Sequence, residues 1–165
     1  VNILAIDIGT HTGFCYNKGE VLHQGTWHLA TPAEVTAWGK TRQTRRADPR
    51  ICRFLKHVQE AGHFDAIVFE DVEFVKSRMQ AHLWAGLRTV IWLASCQECD
   101  TVLEAVATGT LKKFATGGGG ADKTGMLRAL KLRHPHLVNV DADDNEIDAT
   151  WLWLWAHTNL AKRPI

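Results

Sequence analysis

Four carboxylates stand at the ends of hydrophobic runs, where acids can gather around a cation. Asp7 closes the run Ile3-Leu4-Ala5-Ile6 and is followed by Ile8-Gly9-Thr10. A stretch of small and β-branched residues that ends in one acid and then a glycine is how a buried strand delivers a carboxylate to the rim of a sheet. Glu70 ends the run Ala66-Ile67-Val68-Phe69 in the same way. Asp144 and Asp148 fall near the start of the last helical segment, four residues apart, and so share one face about one turn from each other. Two such charges repel, and a helix N-terminus supplies only about half a positive charge to relieve them. Divalent cations would supply the rest. Asp141 or Asp143 as a helix cap, with Asp144 as a first-turn acid favoured by the dipole, accounts for those residues cheaply. It leaves Asp148, set in the apolar half of the helix, without a role. Magnesium takes carboxylate oxygens and retained waters and needs no Cys or His. Two such ions ~3.5–4 Å apart can activate a water and stabilise the leaving oxygen of a phosphodiester.

The elements that must position these acids can be read from spacing. Strands are predicted at the opening run, over Thr12–Asn17 and over Val21–Leu29, the last two joined by a tight turn at Lys18-Gly19-Glu20, which makes an antiparallel meander. Residues 30–50 are expected to break the pattern, and Lys40–Arg50 reads as a basic, solvated loop or as the exposed face and start of a helix. A helix over Pro49–Ala61, with Ile51, Phe54, Leu55 and Val58 on one side and Gly62 to stop it, leads to a strand over Phe64–Glu70. The segment Ser77–Cys96 is helical, with the stripe Leu83, Leu87, Val90, Ile91 and Ala94 widened by Trp84 and Met79. Such width suits a second partner surface or a thick core. A strand over Thr101–Val106, a short helix over Thr108–Thr116, a glycine loop at 117–120 and a helix from Asp122-Lys123 to Arg133 follow. The final helix, carrying Trp151-Leu152-Trp153-Leu154-Trp155, is apolar on nearly every side and should be sandwiched. The whole is an α/β fold, a mixed sheet flanked by helices.

At 165 residues the chain reads as one domain, 1–165, able to bury a real core. Its 19 Lys and Arg nearly cancel 18 Asp and Glu, so net charge does not point to nucleic acid, although the distribution could still do so. Arg42, Arg45, Arg46, Lys112, Lys113, Lys123 and Arg128 are candidates for phosphate contacts. Cysteines at 15, 52, 96 and 99 lack the density of a disulfide scaffold and suit a reducing cytosol. Cys96 and Cys99 form a C-x-x-C with no second pair to complete a zinc site. No secretory leader and no membrane-spanning run is expected.

Taken in order, Asp7 in Ile-Asp-Ile-Gly-Thr, Glu70 in Phe-Glu-Asp-Val, the segment from Thr108 through Gly117 to Ala121-Asp122-Lys123, and Asp-Asp-Asn-Glu-Ile-Asp148-Ala-Thr resemble the RuvC-type Holliday junction resolvases of the RNase H-like superfamily. The resemblance implies a five-stranded mixed sheet, a homodimer, and cleavage of symmetry-related strands at a four-way DNA junction with two Mg2+ ions, for which Mn2+ would substitute. Asp7, Glu70 and Asp148 match the family's acids directly. The fourth acid usually stands three residues before the last, where this chain has Asn145, and Asp144 is the substitute. Lys123 matches a basic residue at a helix start that contacts DNA near the cut, which places it with the catalytic residues. Phe74 falls near an aromatic that stacks at the junction. The resemblance also implies a cytoplasmic setting in a bacterium or a phage-infected cell. Other expectations stay open: an RNase H-like nuclease for flaps or RNA–DNA hybrids, a non-catalytic junction-binding protein of the same fold, or a sugar-kinase and actin type ATPase suggested by Asp7-Ile8-Gly9-Thr10. The last needs two such domains.

Overall fold

The first strand is buried on both faces, and the alternation of its side chains between them decides how the molecule is laid out. In the computed structural model, which describes residues 1–40, 47–71, 77–96 and 100–160, β1 (Ile3–Asp7) sends Ile3 and Ala5 into one hydrophobic cluster and Leu4 and Ile6 into another. β2 (His11–Lys18) and β3 (Val21–His28) are antiparallel neighbours joined through Gly19, whose φ of 60° suits a two-residue hairpin turn. β4 (Ala66–Asp71) and β5 (Val102–Ala107) run parallel to β1, and the sheet order is β3-β2-β1-β4-β5. This is the expected five-stranded mixed sheet with its first three strands antiparallel.

Two layers of helix cover the two faces. The Leu4 and Ile6 face receives α2 (Pro49–Ala61) and α3 (Arg78–Cys96), which bury Phe54, Val58, Leu83, Trp84, Leu87, Val90 and Ile91. The opposite face receives α6 (Asp144–Asn159), backed by α4 (Thr108–Thr116) and α5 (Lys123–Arg133). α6 is sandwiched as expected. Ala5, Cys15 and Ala66 on the sheet and Ala149 and Ala156 on the helix are all buried, and residues this small let helix and sheet approach closely. Trp151 and Leu152 are fully buried, each adding roughly 1.5–3 kcal/mol of burial. The Trp151 indole donates to the Met126 carbonyl at 3.1 Å, so its polar atom is not stranded. Asn17 ties the opening of the chain together: its Oδ1 accepts from the Ile3 backbone at 2.9 Å and from the Trp153 indole at 3.2 Å.

Two expectations need correction. Residues 30–50 do not simply break the pattern, because Pro32–Lys40 forms a helix, α1. Its start is a capping box: Thr31 N donates to Glu34 Oε2 at 2.8 Å, and Glu34 N donates to Thr31 Oγ1 at 3.3 Å, with Pro32 opening the helix. α1 buries none of its residues, so no apolar period announces it. Leu55 and Met79, read on the apolar stripes of α2 and α3, are 39% and 38% exposed, so the part of each stripe that packs inward is narrower than its spacing suggests. No helix among the described residues is long and apolar enough to cross a membrane.

Candidate active site

The site grows out of strand register. On β1 the side chains of residues 3, 5 and 7 share a face, and on β4 those of 66, 68 and 70 share the same one. Ile6 pairs with Phe69 across the parallel strands, so Asp7 and Glu70 come next, side by side on strands ~4.8 Å apart. Asp7 also pairs with Gly13 on β2, and Gly13 with Thr26 on β3. One transverse row, Thr26–Gly13–Asp7–Glu70, therefore crosses the sheet at a single level.

The first turn of α6 is fastened over that row. Asp143 is its N-cap, accepting from Glu146 N at 2.9 Å and from Thr26 Oγ1 at 2.6 Å. Burial works against the Asp143 charge, but these hydrogen bonds and those from Asn145 hold its pKa below the usual carboxylate range. A β-carbon on Gly13 would collide with the Asn145 backbone carbonyl, so only glycine lets the helix settle there. From this seat α6 turns Asp148 toward Asp7 and Glu70. Glu146 points the other way, buried, and accepts from Asn139 Nδ2 at 2.6 Å.

The three acids disturb one another. Burial holds the Asp7 carboxyl well above its ordinary range, the charges of Glu70 and Asp148 raise it further, and its carboxyl hydrogen-bonds that of Glu70. Burial likewise pushes Asp148 up to about 6, Glu70 adding to the rise and Lys123 opposing it. Beside them opens a crevice of about 170 Å³ lined by Glu70, Thr108, Leu111, Lys112, Lys123, Met126 and Asp148. Among the described residues no three acids, histidines or cysteines already stand as a ready-made coordination cage. The donor set nevertheless fits a hard divalent cation: every donor is a carboxylate oxygen, and burial, with repulsion between the acids, makes Asp7 and Asp148 hold their protons more tightly than usual, a cost a bound cation would relieve.

The other candidates are divided. Lys112 and Lys123 face the crevice. Lys123 Nζ donates to Asp144 Oδ2 at 2.8 Å, which places Asp144 at the rim with the ammonium. Lys113 and Arg128 line a separate hollow between α4 and α5. Arg42, Arg45, Arg46 and Phe74 lie outside the described residues, as does Cys99. Cys15, Cys52 and Cys96 are free thiols, Cys15 buried. Gly13, Thr26 and the apolar lining of Leu111 and Met126 escape a sequence reading. The Gly after Thr12 is the one available signal for them, since a glycine within a strand often marks close backbone approach.

An antiparallel meander followed by two parallel strands, with helices on both faces, is the layout of an RNase H-like α/β fold, and here acids from the first strand, the fourth strand and the last helix fall on one face of it. The structure is similar to that of RuvC from T. thermophilus in complex with a Holliday junction substrate, with a TM-score of 0.72 and 19% identity over 98% of this chain and 94% of that one. A further Thermus thermophilus RuvC structure gives a TM-score of 0.68 at 16% identity over 100% of both chains. The yeast mitochondrial Holliday junction resolvase Ydc2 gives 0.55 at 10% identity, over 91% of this chain and 75% of that one. No family model and no curated protein matches the sequence. The chain has the RuvC-type RNase H-like fold.

Proposed function

We propose that the protein is a divalent-metal-dependent endonuclease that resolves four-way DNA junctions, working as a homodimer in the cytoplasm of a bacterium or phage-infected cell. The observation that carries this reading is the meeting of Asp7, Glu70 and Asp148 at one end of the sheet, beside a crevice with two lysines, on the fold of a resolvase. Asp7, Glu70 and Asp148 would hold Mg2+ or Mn2+, two ions per site, whose chemistry when bound is to turn a water into a nucleophile and to stabilise the departing oxygen. Lys112 and Lys123 put positive charge where a scissile phosphate would enter. The burial around Asp7 limits how far bulk water screens the carboxylates. Lys113 and Arg128, on the outer side of the same two helices, suit the backbone of an adjoining arm. Homodimerisation supports paired cuts, since symmetric strands of a junction need two symmetric sites.

The test is cleavage of four-way junction, flap, duplex and RNA–DNA hybrid with Mg2+. The reading expects paired, symmetric nicks in the junction and little action on the others. Asp7→Asn, Glu70→Gln and Asp148→Asn should each abolish cutting while junction binding persists. Preference for hybrid or flap would move the protein to another branch of RNase H-like nucleases. Junction binding with no cleavage in either metal would make it a binding protein of the same fold.

A further inference from the structure

We propose that Asp144 is a positioning residue for Lys123 and lies outside the cation shell of Asp7, Glu70 and Asp148. This inference rests on the nuclease reading above and refines its site. Asp144 and Lys123 are the first residues of α6 and α5, two helices that begin beside each other at the mouth of the crevice. Lys123 Nζ meets Asp144 Oδ2 at 2.8 Å on a carboxylate that is half exposed, while Asp148, one turn on, is half-buried, faces the crevice with Glu70 and is, with Glu70, one of the two acids whose charges act on Asp7. The acids of one helix face are therefore shared out, the outer one to an ammonium and the inner one to the other carboxylates.

The pair is 71% and 49% exposed, and an ion pair that open to water contributes little to folding. Its effect is on place. A lysine ends in a point charge on a flexible four-carbon stem, and without a partner that charge is spread over many rotamers. Held by Asp144, it stays near Asp7 and Asp148, on both of which its charge acts. Asp144 is itself held, because the α6 start is fixed by Asp143 to Thr26 and by the close seat on Gly13. Asp122 fixes the α5 start by accepting from Gly125 N at 2.8 Å. Two capped helix ends thus aim one cation at the place where a phosphate must arrive.

The experiment measures Mn2+ binding to the full chain by loss of the free-ion paramagnetic signal, together with junction cleavage, for wild type, Asp144→Asn, Asp148→Asn, Lys123→Ala and the Asp144→Asn/Lys123→Ala double variant. We expect Asp144→Asn to keep Mn2+ affinity within ~3-fold of wild type, and Asp148→Asn to lose at least ~10-fold. Asp144→Asn and Lys123→Ala should each lower kcat, the double variant should cut no more slowly than Lys123→Ala alone, and Asp144→Glu should restore most of the rate. Loss of Mn2+ affinity in Asp144→Asn as large as in Asp148→Asn would make Asp144 a ligand and overturn the proposal. So would rate losses that multiply in the double variant. A wild-type chain that binds no Mn2+ and cuts no junction would instead bring down the nuclease reading underneath.

Discussion

Replacing Asp148 with asparagine should make the metal-free protein more stable while destroying its activity. Burial, with the charge of Glu70 adding, pushes Asp148 up to about 6, from an ordinary value of 3.8. A carboxyl whose pKa is higher in the folded chain holds its proton more tightly there than in the unfolded one. Its contribution is therefore most favourable below about pH 4, falls as pH rises through 4–6, and is wholly lost above that. The rise corresponds to roughly 3 kcal/mol of destabilisation at neutral pH, a ceiling because the three acids share it. Asparagine keeps the shape and never carries the charge. At pH 7.5 without divalent cations, Asp148→Asn should gain ~1–3 kcal/mol, which in a chain of this size is about 2–4 °C in Tm per kcal/mol. At pH 4 the gain should shrink toward zero. Differential scanning calorimetry at the two pH values, in chelator, reads this directly. A variant less stable than wild type at pH 7.5, or one whose gain is the same at both pH values, would refute the electrostatic account of the site.

Three other outcomes are expected. Gly13→Ala should cost ~1–3 kcal/mol in urea unfolding and slow cleavage, because the new methyl lands on the Asn145 backbone and displaces the helix that carries Asp148; wild-type stability in this variant would contradict the close seat. Thr26→Val removes the hydroxyl that donates to the helix cap at 2.6 Å and should cost about 1 kcal/mol, visible as a lowered Tm with Asp7 and Glu70 chemically intact. Lys113→Ala and Arg128→Ala should each weaken junction binding evenly across sequences and lower the salt slope of log K by about 1, by fluorescence anisotropy at several salt concentrations. An unchanged slope would take that residue off the DNA path.

The acids were legible in the sequence because each sits at the end of a run with a clear period. Asp7 and Glu70 follow apolar strands, and Asp148 follows a helix spacing from Asp144, so burial and direction could be inferred without coordinates. The hairpin was legible through Gly19 and the last helix through its tryptophans. α1 was not, since its signal is the pair Thr31 and Glu34 rather than any hydrophobic stripe. Asp144 and Lys123 could each be singled out, but their pairing could not, because it depends on how two helix starts are placed by tertiary packing. Gly13 was hidden for a similar reason: the space it leaves is filled by a backbone 132 residues later in the chain.

The side-by-side placement of Asp7 and Glu70 depends on a parity. Each is reached by counting in twos along a strand whose alternate residues belong to opposite cores. Adding or deleting one residue between Ile3 and Asp7 would deliver the first acid to the underside, among Phe54 and Leu87, whatever its identity. A change of two would keep its side and move it along the strand by ~6–7 Å. Substitution can erode this centre gradually, whereas a single-codon indel in the opening strand inverts it outright.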